Sequence, residues 1–158
     1  NKSQKRCQAK NKVLTRSILS SQAKEEHYQL FENYQKNRHK DGLMSKMTWN
    51  DYSNMINLTP INSMIFEYKN LKNKIIGVLL IDLQRDGLSA VYSFYNVSEI
   101  HTGIGKYMIL DVINFIKKTS DRRPFFNITN LQKNCCLSFS PSQKKSTFFL
   151  QPHNIFGF

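Results

Sequence analysis

Apolar residues crowd into three short runs between residues 64 and 95, with polar turns between them. The first run is Met64–Tyr68, and Asn70–Asn73 reads as a turn. Lys74–Leu83 is almost continuously apolar through Ile75, Ile76, Val78, Leu79, Leu80 and Ile81, the pattern of a strand covered on both faces. Gln84-Arg85-Asp86-Gly87 turns the chain again, and Leu88–Tyr95 returns. Connections this short cannot join parallel neighbours, so the three runs predict an antiparallel meander.

Helical periodicity flanks the meander. Tyr28, Leu30, Phe31 and Tyr34 share one face and predict an amphipathic helix over 22–38. Ser20 and Ser21 are placed to cap it, Glu25 and Glu26 complement its first turn, and Lys36 and Arg38 its last. Lys40-Asp41-Gly42 ends it, and Tyr34 reads as core. Trp49, Tyr52 and Met55 predict a shorter helix over 45–57, with Pro60 closing the linker behind it. Beyond the meander, Gly103-Ile104-Gly105 leads into a helix over 105–118. Its apolar positions reach most of the way round, so it is expected to lie largely buried on the sheet. Phe125-Phe126-Asn127-Ile128 suits one more strand, and 129–158 shows no period of 2 or of 3.6.

This order predicts an α+β fold, and it matches the element order of GNAT-type (acyl-CoA N-acyltransferase-like) domains. That match concerns fold and does not itself assign a function. The expected organisation is a basic arm over 1–20, a transferase-like domain over 21–128, and a divergent, poorly ordered tail over 129–158 that leaves the fold incomplete.

Charge narrows the class of partner. The chain of 158 residues has 23 Lys and Arg against 11 Asp and Glu, a net charge of +12. Residues 1–16 hold Lys2, Lys5, Arg6, Lys10, Lys12 and Arg16 and no acid, which favours a polyanion or else marks a solvated arm. The longest apolar runs fall far short of the ~20 residues that cross a bilayer. Cys7, Cys135 and Cys136 offer neither a disulfide framework nor a zinc spacing, so the expectation is a cytoplasmic protein with no metal and no membrane partner.

Several motifs, in order, resemble the C-terminal catalytic domain of the aminoacyl-tRNA–protein transferases. The basic segment Lys2–Arg6 with Lys10-Asn11 and Leu14-Thr15 is similar to the family's entry segment. Glu25-Glu26-His27-Tyr28, Phe31, Tyr34-Gln35, Arg38-His39, Asp41-Gly42 and Met44 resemble its helix and turn. Ile76-Gly77-Val78 to Asp82, Asp86–Tyr95, and Gly105-Lys106-Tyr107 with Ile109-Leu110 resemble its central strands and the helix start after them. The wording is nearest the bacterial type, which implies transfer of leucine to an N-terminal Asp or Glu, with arginine transfer as the sister activity. Neither the family's cysteine-rich N-terminal module nor its Gly-Tyr-Trp-type strand after the buried helix has a counterpart in these residues. The second absence implies a divergent or frame-shifted C-terminus.

The implied reaction is aminolysis of the aminoacyl ester on tRNA, with the tRNA as co-substrate and no cofactor. It needs a base for an α-ammonium of pKa near ~8, donors for the oxyanion, and cations for the tRNA backbone. Gly103, Ile104, Gly105 and Lys106 are candidates for the acceptor end of the tRNA, with Lys2, Lys5 and Arg6 on its phosphates; the loop also suits an ordinary tight turn. Asp82, Ser89, Tyr92 and Tyr95 are the candidate catalytic residues. Asp82 equally suits pairing with Arg85 or capping the turn, and the tyrosines suit half-buried strand positions. In a regular strand, Ser89 and Tyr95 share one face and Tyr92 takes the other, whereas a bulge brings them closer. Arg38 and His39 are placed to meet the acidic acceptor residue. A coenzyme A-dependent N-acyltransferase and a non-catalytic RNA-binding remnant are the competing readings.

Overall fold

The near-continuous apolar run does lie at the centre of a sheet. In the computed structural model, which describes residues 1–84 and 87–120, it forms β3 (Ile75–Gln84). Its neighbours are β2 (Ser63–Lys69) and β4 (Gly87–Tyr95), both antiparallel to it. Ile76 to Ile81 are all buried, and burying each large aliphatic side chain there stabilises the fold by about 1.5–3 kcal/mol. The helices are α1 (Lys2–Asn11), α2 (Glu25–Arg38), α3 (Trp49–Asn57) and α4 (Ile104–Ser120). The result is the expected α+β, GNAT-like arrangement. Among the described residues no helix is long and apolar enough to cross a membrane.

Helices α2 and α3 cover one face of the sheet, where the rings of Phe31 and Tyr52 pack on Phe94 at 5.6 and 6.3 Å. Helix α4 covers the other, its Phe115 ring 5.3 Å from Phe66. The buried stripe of α4 is narrower than its composition suggested: Ile104, Met108, Val112 and Ile116, four residues apart, are the ones sealed from solvent. Their close approach depends on Gly77, where an added Cβ would stand 2.9 Å from Met108 Sδ. Gly77→Ala is therefore expected to destabilise the chain by about 1–3 kcal/mol through overpacking, read as a lower urea midpoint.

The first 20 residues correct the expectation of an arm. They hold α1 and then β1 (Thr15–Ser20), which adds to β2 as the fourth strand, in the order β1-β2-β3-β4. Helix α1 starts from a capping box between Asn1 and Gln4, and its buried residues are Cys7 and Asn11. Three further differences are local. Ser20 ends β1 and the Ser21 hydroxyl donates to Ile56 O, so neither caps α2, which starts after Lys24 with no side-chain cap. Thr48 caps α3 through Asp51, so the helix begins at Trp49 and a 3-10 turn occupies Leu43–Lys46. In β4 the register shifts opposite Leu80 and Ile81, which pair with Tyr92 and Ala90 and leave Val91 as the extra residue of a bulge. The proposed strand over Phe125–Ile128, the tail 129–158, and the turn residues Arg85 and Asp86 lie outside the described residues.

Candidate active site

Helix α2 buries a mixed stripe. His27, Phe31 and Gln35, at four-residue steps, are all but inaccessible, and Tyr34 joins them. Phe31 anchors this stripe on β4, its ring 5.9 Å from that of Tyr92. One turn on, Gln35 Nε2 donates a short hydrogen bond to the Tyr92 hydroxyl. The Tyr34 ring meets Tyr95 edge-on at 5.0 Å and His39 at 5.7 Å, and its hydroxyl also bonds within the Arg38–Tyr95 surroundings. The end of α2 and the end of β4 thus form a notch lined by Tyr34, Arg38, His39 and Tyr95, with Tyr92 behind.

Burial, and then the neighbouring Tyr95, pushes the Tyr34 phenol up to about 12. Burial followed by Tyr34 moves Tyr92 upward as well. Both phenols are thus neutral hydrogen-bond donors near pH 7 and cannot serve as bases there. Burial and then the Arg38 charge lower His39, so its imidazole is neutral and able to accept a proton.

The third wall is the start of α4. Gly103, at φ 72°, lets a 3-10 turn over Val97–Thr102 swing directly into the helix. Gly105 lies under Tyr95: a Cβ there would come within 3.0 Å of the ring. Helix α1 clamps this loop from outside. Cys7 Sγ donates to Gly103 O at 3.2 Å, Asn11 Nδ2 to Thr102 O at 2.8 Å, and Lys10 Nζ to His101 O at 3.2 Å. Because N–H and C=O of a trans peptide point in opposite directions, tying down Gly103 O aims the Ile104 N–H away from α1. Ile104 itself is sealed from solvent, so the first-turn N–H groups that remain for an anionic or carbonyl oxygen are those of part-buried Gly105 and Lys106, which also lack an intrahelical acceptor.

The expected site residues divide. Lys2, Lys5 and Arg6 are exposed on α1, the helix that meets the Gly103 loop through Cys7, Lys10 and Asn11 and receives Lys106 at Ser3 (Nζ to Oγ, 3.3 Å). Arg38, His39 and Tyr95 meet in the notch. The four candidate catalytic residues, however, do not form one cluster. Asp82 pairs with Ser89 across β3–β4, while Tyr95 pairs with Gly77, about 16 Å away at ~3.3 Å per residue. Asp82 Oδ1 is held by the Ser63 hydroxyl at 2.6 Å. The bulge at Val91 also reverses the expected facing: Ser89, opposite Asp82, and Tyr92, opposite Leu80, share the α2 side, and Tyr95 takes the α4 side.

Sequence reasoning missed the most deeply set polar pair. His27 Nε2 lies 2.6 Å from Glu67 Oε2, with both side chains buried, and Lys69 Nζ stands 3.1 Å from Glu67 Oε1. Burial alone would raise the Glu67 carboxyl, but hydrogen bonds from His27 and Lys69 outweigh it and hold it below the usual carboxylate range. Burial lowers His27. Its Nδ1 has no partner among the described residues. A neutral ring donating from Nε2 leaves only a bare acceptor there, whereas protonation would strand a buried N–H. The legible signal was the four-residue step from His27 through Phe31 to Gln35.

A four-stranded antiparallel sheet with a strand end lined by tyrosines, followed by a glycine loop and α4, places the chain in the α+β, GNAT-like class. The family described as Arginine-tRNA-protein transferase, C terminus, matches residues 26–135. The chain is 43% identical over 113 residues to a protein of Ruegeria pomeroyi named aspartate/glutamate leucyltransferase, covering 71% of this chain and 41% of that one. It is 35% identical over 122 residues to a protein of the same name from Saccharophagus degradans, covering 77% and 52%. It is 36% identical over 112 residues to another from Gluconobacter oxydans, covering 71% and 47%. The chain spans about half the length of these relatives or less. It belongs to the arginine-tRNA-protein transferase C-terminal family.

Proposed function

We propose that this chain carries the acyl-transfer centre of an enzyme that moves leucine from aminoacyl-tRNA to the N-terminal Asp or Glu of a protein, marking it for degradation in the N-degron pathway. The observation that carries this reading is the packing of basic α1 on the loop that starts α4, with Gly105 of α4 under Tyr95 and Tyr95 against Tyr34. Leucine is preferred over arginine because the matching relatives are named as leucyltransferases.

In this scheme the acceptor's α-ammonium first loses a proton, and neutral His39 is the group placed to take it. The amine attacks the ester carbonyl, and the negative oxygen is met by the N–H groups at the start of α4 and a tyrosine hydroxyl. The C–O bond to the ribose then breaks, the amide forms, and the ribose oxygen takes up a proton. Arg38 supplies the permanent charge opposite the acidic acceptor side chain, and Lys2, Lys5, Arg6 and Lys106 face the tRNA phosphates. Asp82 and Ser89, at the other end of the ladder, support the sheet end in this scheme and take no part in the proton transfer.

Transfer of radiolabelled leucine from leucyl-tRNA to a peptide beginning in Asp tests the reading. It should be run on this chain and on a chimera in which the chain replaces the matching segment of the Ruegeria pomeroyi relative. Transfer by either supports it; transfer by neither, with both folded by circular dichroism, overturns it. In the active form, Gly105→Ala is expected to leave stability nearly unchanged, because alanine's gain in helix propensity offsets the ring contact. Turnover should nonetheless fall about tenfold or more as Tyr95 is displaced from the notch.

A further inference from the structure

An open groove of about 790 Å³ runs between the outer face of α2 and the β2–β3 turn, ending at Asn96–Ser98. Its walls are rich in carboxamides: Gln29, Asn33 and Asn37 on α2, with Asn73 and Asn96 opposite. Among the described residues the Gln29 and Asn33 side chains make no hydrogen bond. Asn37 Nδ2 donates to Asn33 O at 2.7 Å, which leaves its Oδ1 to accept. Asn96 Oδ1 accepts from Ser98 N at 3.2 Å, which leaves its amide hydrogens to donate.

The spacing and charge of this wall select its ligand. Gln29, Asn33 and Asn37 rise about 6 Å per step along the helix. An extended polypeptide presents same-side backbone groups every ~6.6–6.8 Å. Each carboxamide offers a donor and an acceptor, which is what a peptide bond requires. A nucleic-acid strand would instead call for a cation at each phosphate and for aromatic platforms. No lining residue is aromatic, Lys69 is tied to Glu67 at 3.1 Å, and Glu26 opposes Lys74. The groove also abuts the notch, because Asn33 and Asn37 flank Tyr34 and Arg38 on α2 and Asn96 follows Tyr95.

We propose that this amide-lined groove holds the main chain of the acceptor polypeptide in extended form, just behind the N-terminal residue seated in the notch. The proposal rests on the transferase reading for which end of the polypeptide enters first. From Gln29 to Asn37 the wall is about 12 Å long, room for roughly four extended residues. Recognition is of backbone, so the sequence after the first residue is free to vary.

The test is fluorescence anisotropy on the whole chain with a labelled hexapeptide beginning in Asp, the same peptide N-methylated after its first residue, and a labelled single-stranded hexanucleotide RNA. The expected result is that the combined Gln29→Ala, Asn33→Ala, Asn37→Ala variant binds the hexapeptide about ten- to a hundredfold more weakly, the worth of two lost hydrogen bonds. N-methylation should weaken wild-type binding similarly. All three residues are exposed, so the variant's circular dichroism should match the wild type. Unchanged binding by the variant, absence of wild-type binding, or loss of only the RNA would each overturn the proposal. Leucine transfer to a dipeptide and to the hexapeptide separates the two readings. Binding through the groove without transfer overturns the transferase function alone, whereas transfer with equal kcat/KM for both lengths overturns the groove alone.

Discussion

Replacing His27 with alanine is expected to lower the unfolding free energy by about 1.5–3 kcal/mol, the worth of a neutral donor's hydrogen bond to a buried carboxylate. The reason is local. Glu67 is buried and ionised, and in the variant only Lys69 remains to compensate it. His27→Gln, which restores a donor near Nε2, should recover part of the loss and so separate the hydrogen bond from the cavity. Acid should act on the same pair. The folded-state pKa of His27 lies below its ordinary value of 6.5, so between the two values the unfolded chain binds more protons. Stability is therefore fully present above about pH 6.5 and falls as pH drops toward the folded pKa. Glu67, also lowered from its ordinary 4.5, adds a second loss of the same sign below that value. Urea midpoints measured from pH 8 down to pH 4 should fall monotonically in the wild type. In His27→Gln the upper part of that fall should shrink to the share that His39, also lowered, still contributes, and a wild-type midpoint independent of pH between 7 and 5 would contradict the assignment.

On the proposed transferase reading, removing Lys2, Lys5 and Arg6 together is expected to weaken tRNA binding and flatten its salt dependence. Each phosphate contact contributes about 0.7–0.9 to the slope of log K against log salt, so three contribute about 2–3. A fourfold rise in salt should then weaken the wild type about 20–40-fold more than the variant. Filter binding at 50 and 200 mM salt measures this, with exposed Lys46 and Lys72 replaced as the control. A slope unchanged by the triple replacement would remove α1 from the tRNA path. The charges are not there for the helix. Lys2 and Lys5 lie in its first turns, where cations oppose the macrodipole by about 0.3–1 kcal/mol each. The first turn of α1 contains no acid. Their loss should leave α1 as stable or slightly more so, and weaker binding without unfolding would point to the charge alone.

Elements whose burial is local were legible in the sequence. The apolar run of β3, the short turns beside it and the helical faces of α2 and α4 signal themselves within a dozen residues. Strand β1 does not: Thr15–Ser20 has only Ile18 and Leu19 as apolar content and is half exposed. Its pairing partner begins at Ser63, far beyond any hairpin. Helix α1 showed only as the possibility of a short helix within the basic first 20 residues, since Cys7 and Asn11 are buried by a loop more than 90 residues away. The cations and the glycine loop were readable as separate features, but their meeting depends on that long-range contact. The facing of the candidate catalytic residues was open in the sequence between regular alternation and a bulge, and the bulge falls at Val91. One extra residue there changed which hydroxyls share a face. Glu67 escaped notice because it is ordinary alone and acquires meaning only from His27, while Gln35, named within the helix motif, acquires its partner only through Tyr92.

The clamp between α1 and the loop before α4 also fixes an order of events during synthesis. Cys7 bonds to Gly103 across 96 positions and Thr15 to Lys69 across 54, so neither contact can form until most of the domain has left the ribosome. Closing such long intervals is slow compared with the β2–β3–β4 meander, whose neighbours are adjacent in sequence. The meander and α2 therefore form the early scaffold, and the basic amino-terminal segment is the last piece to dock. Until then its cations stand apart from the glycine loop. A nascent chain halted before residue 103 would present the charge without the site.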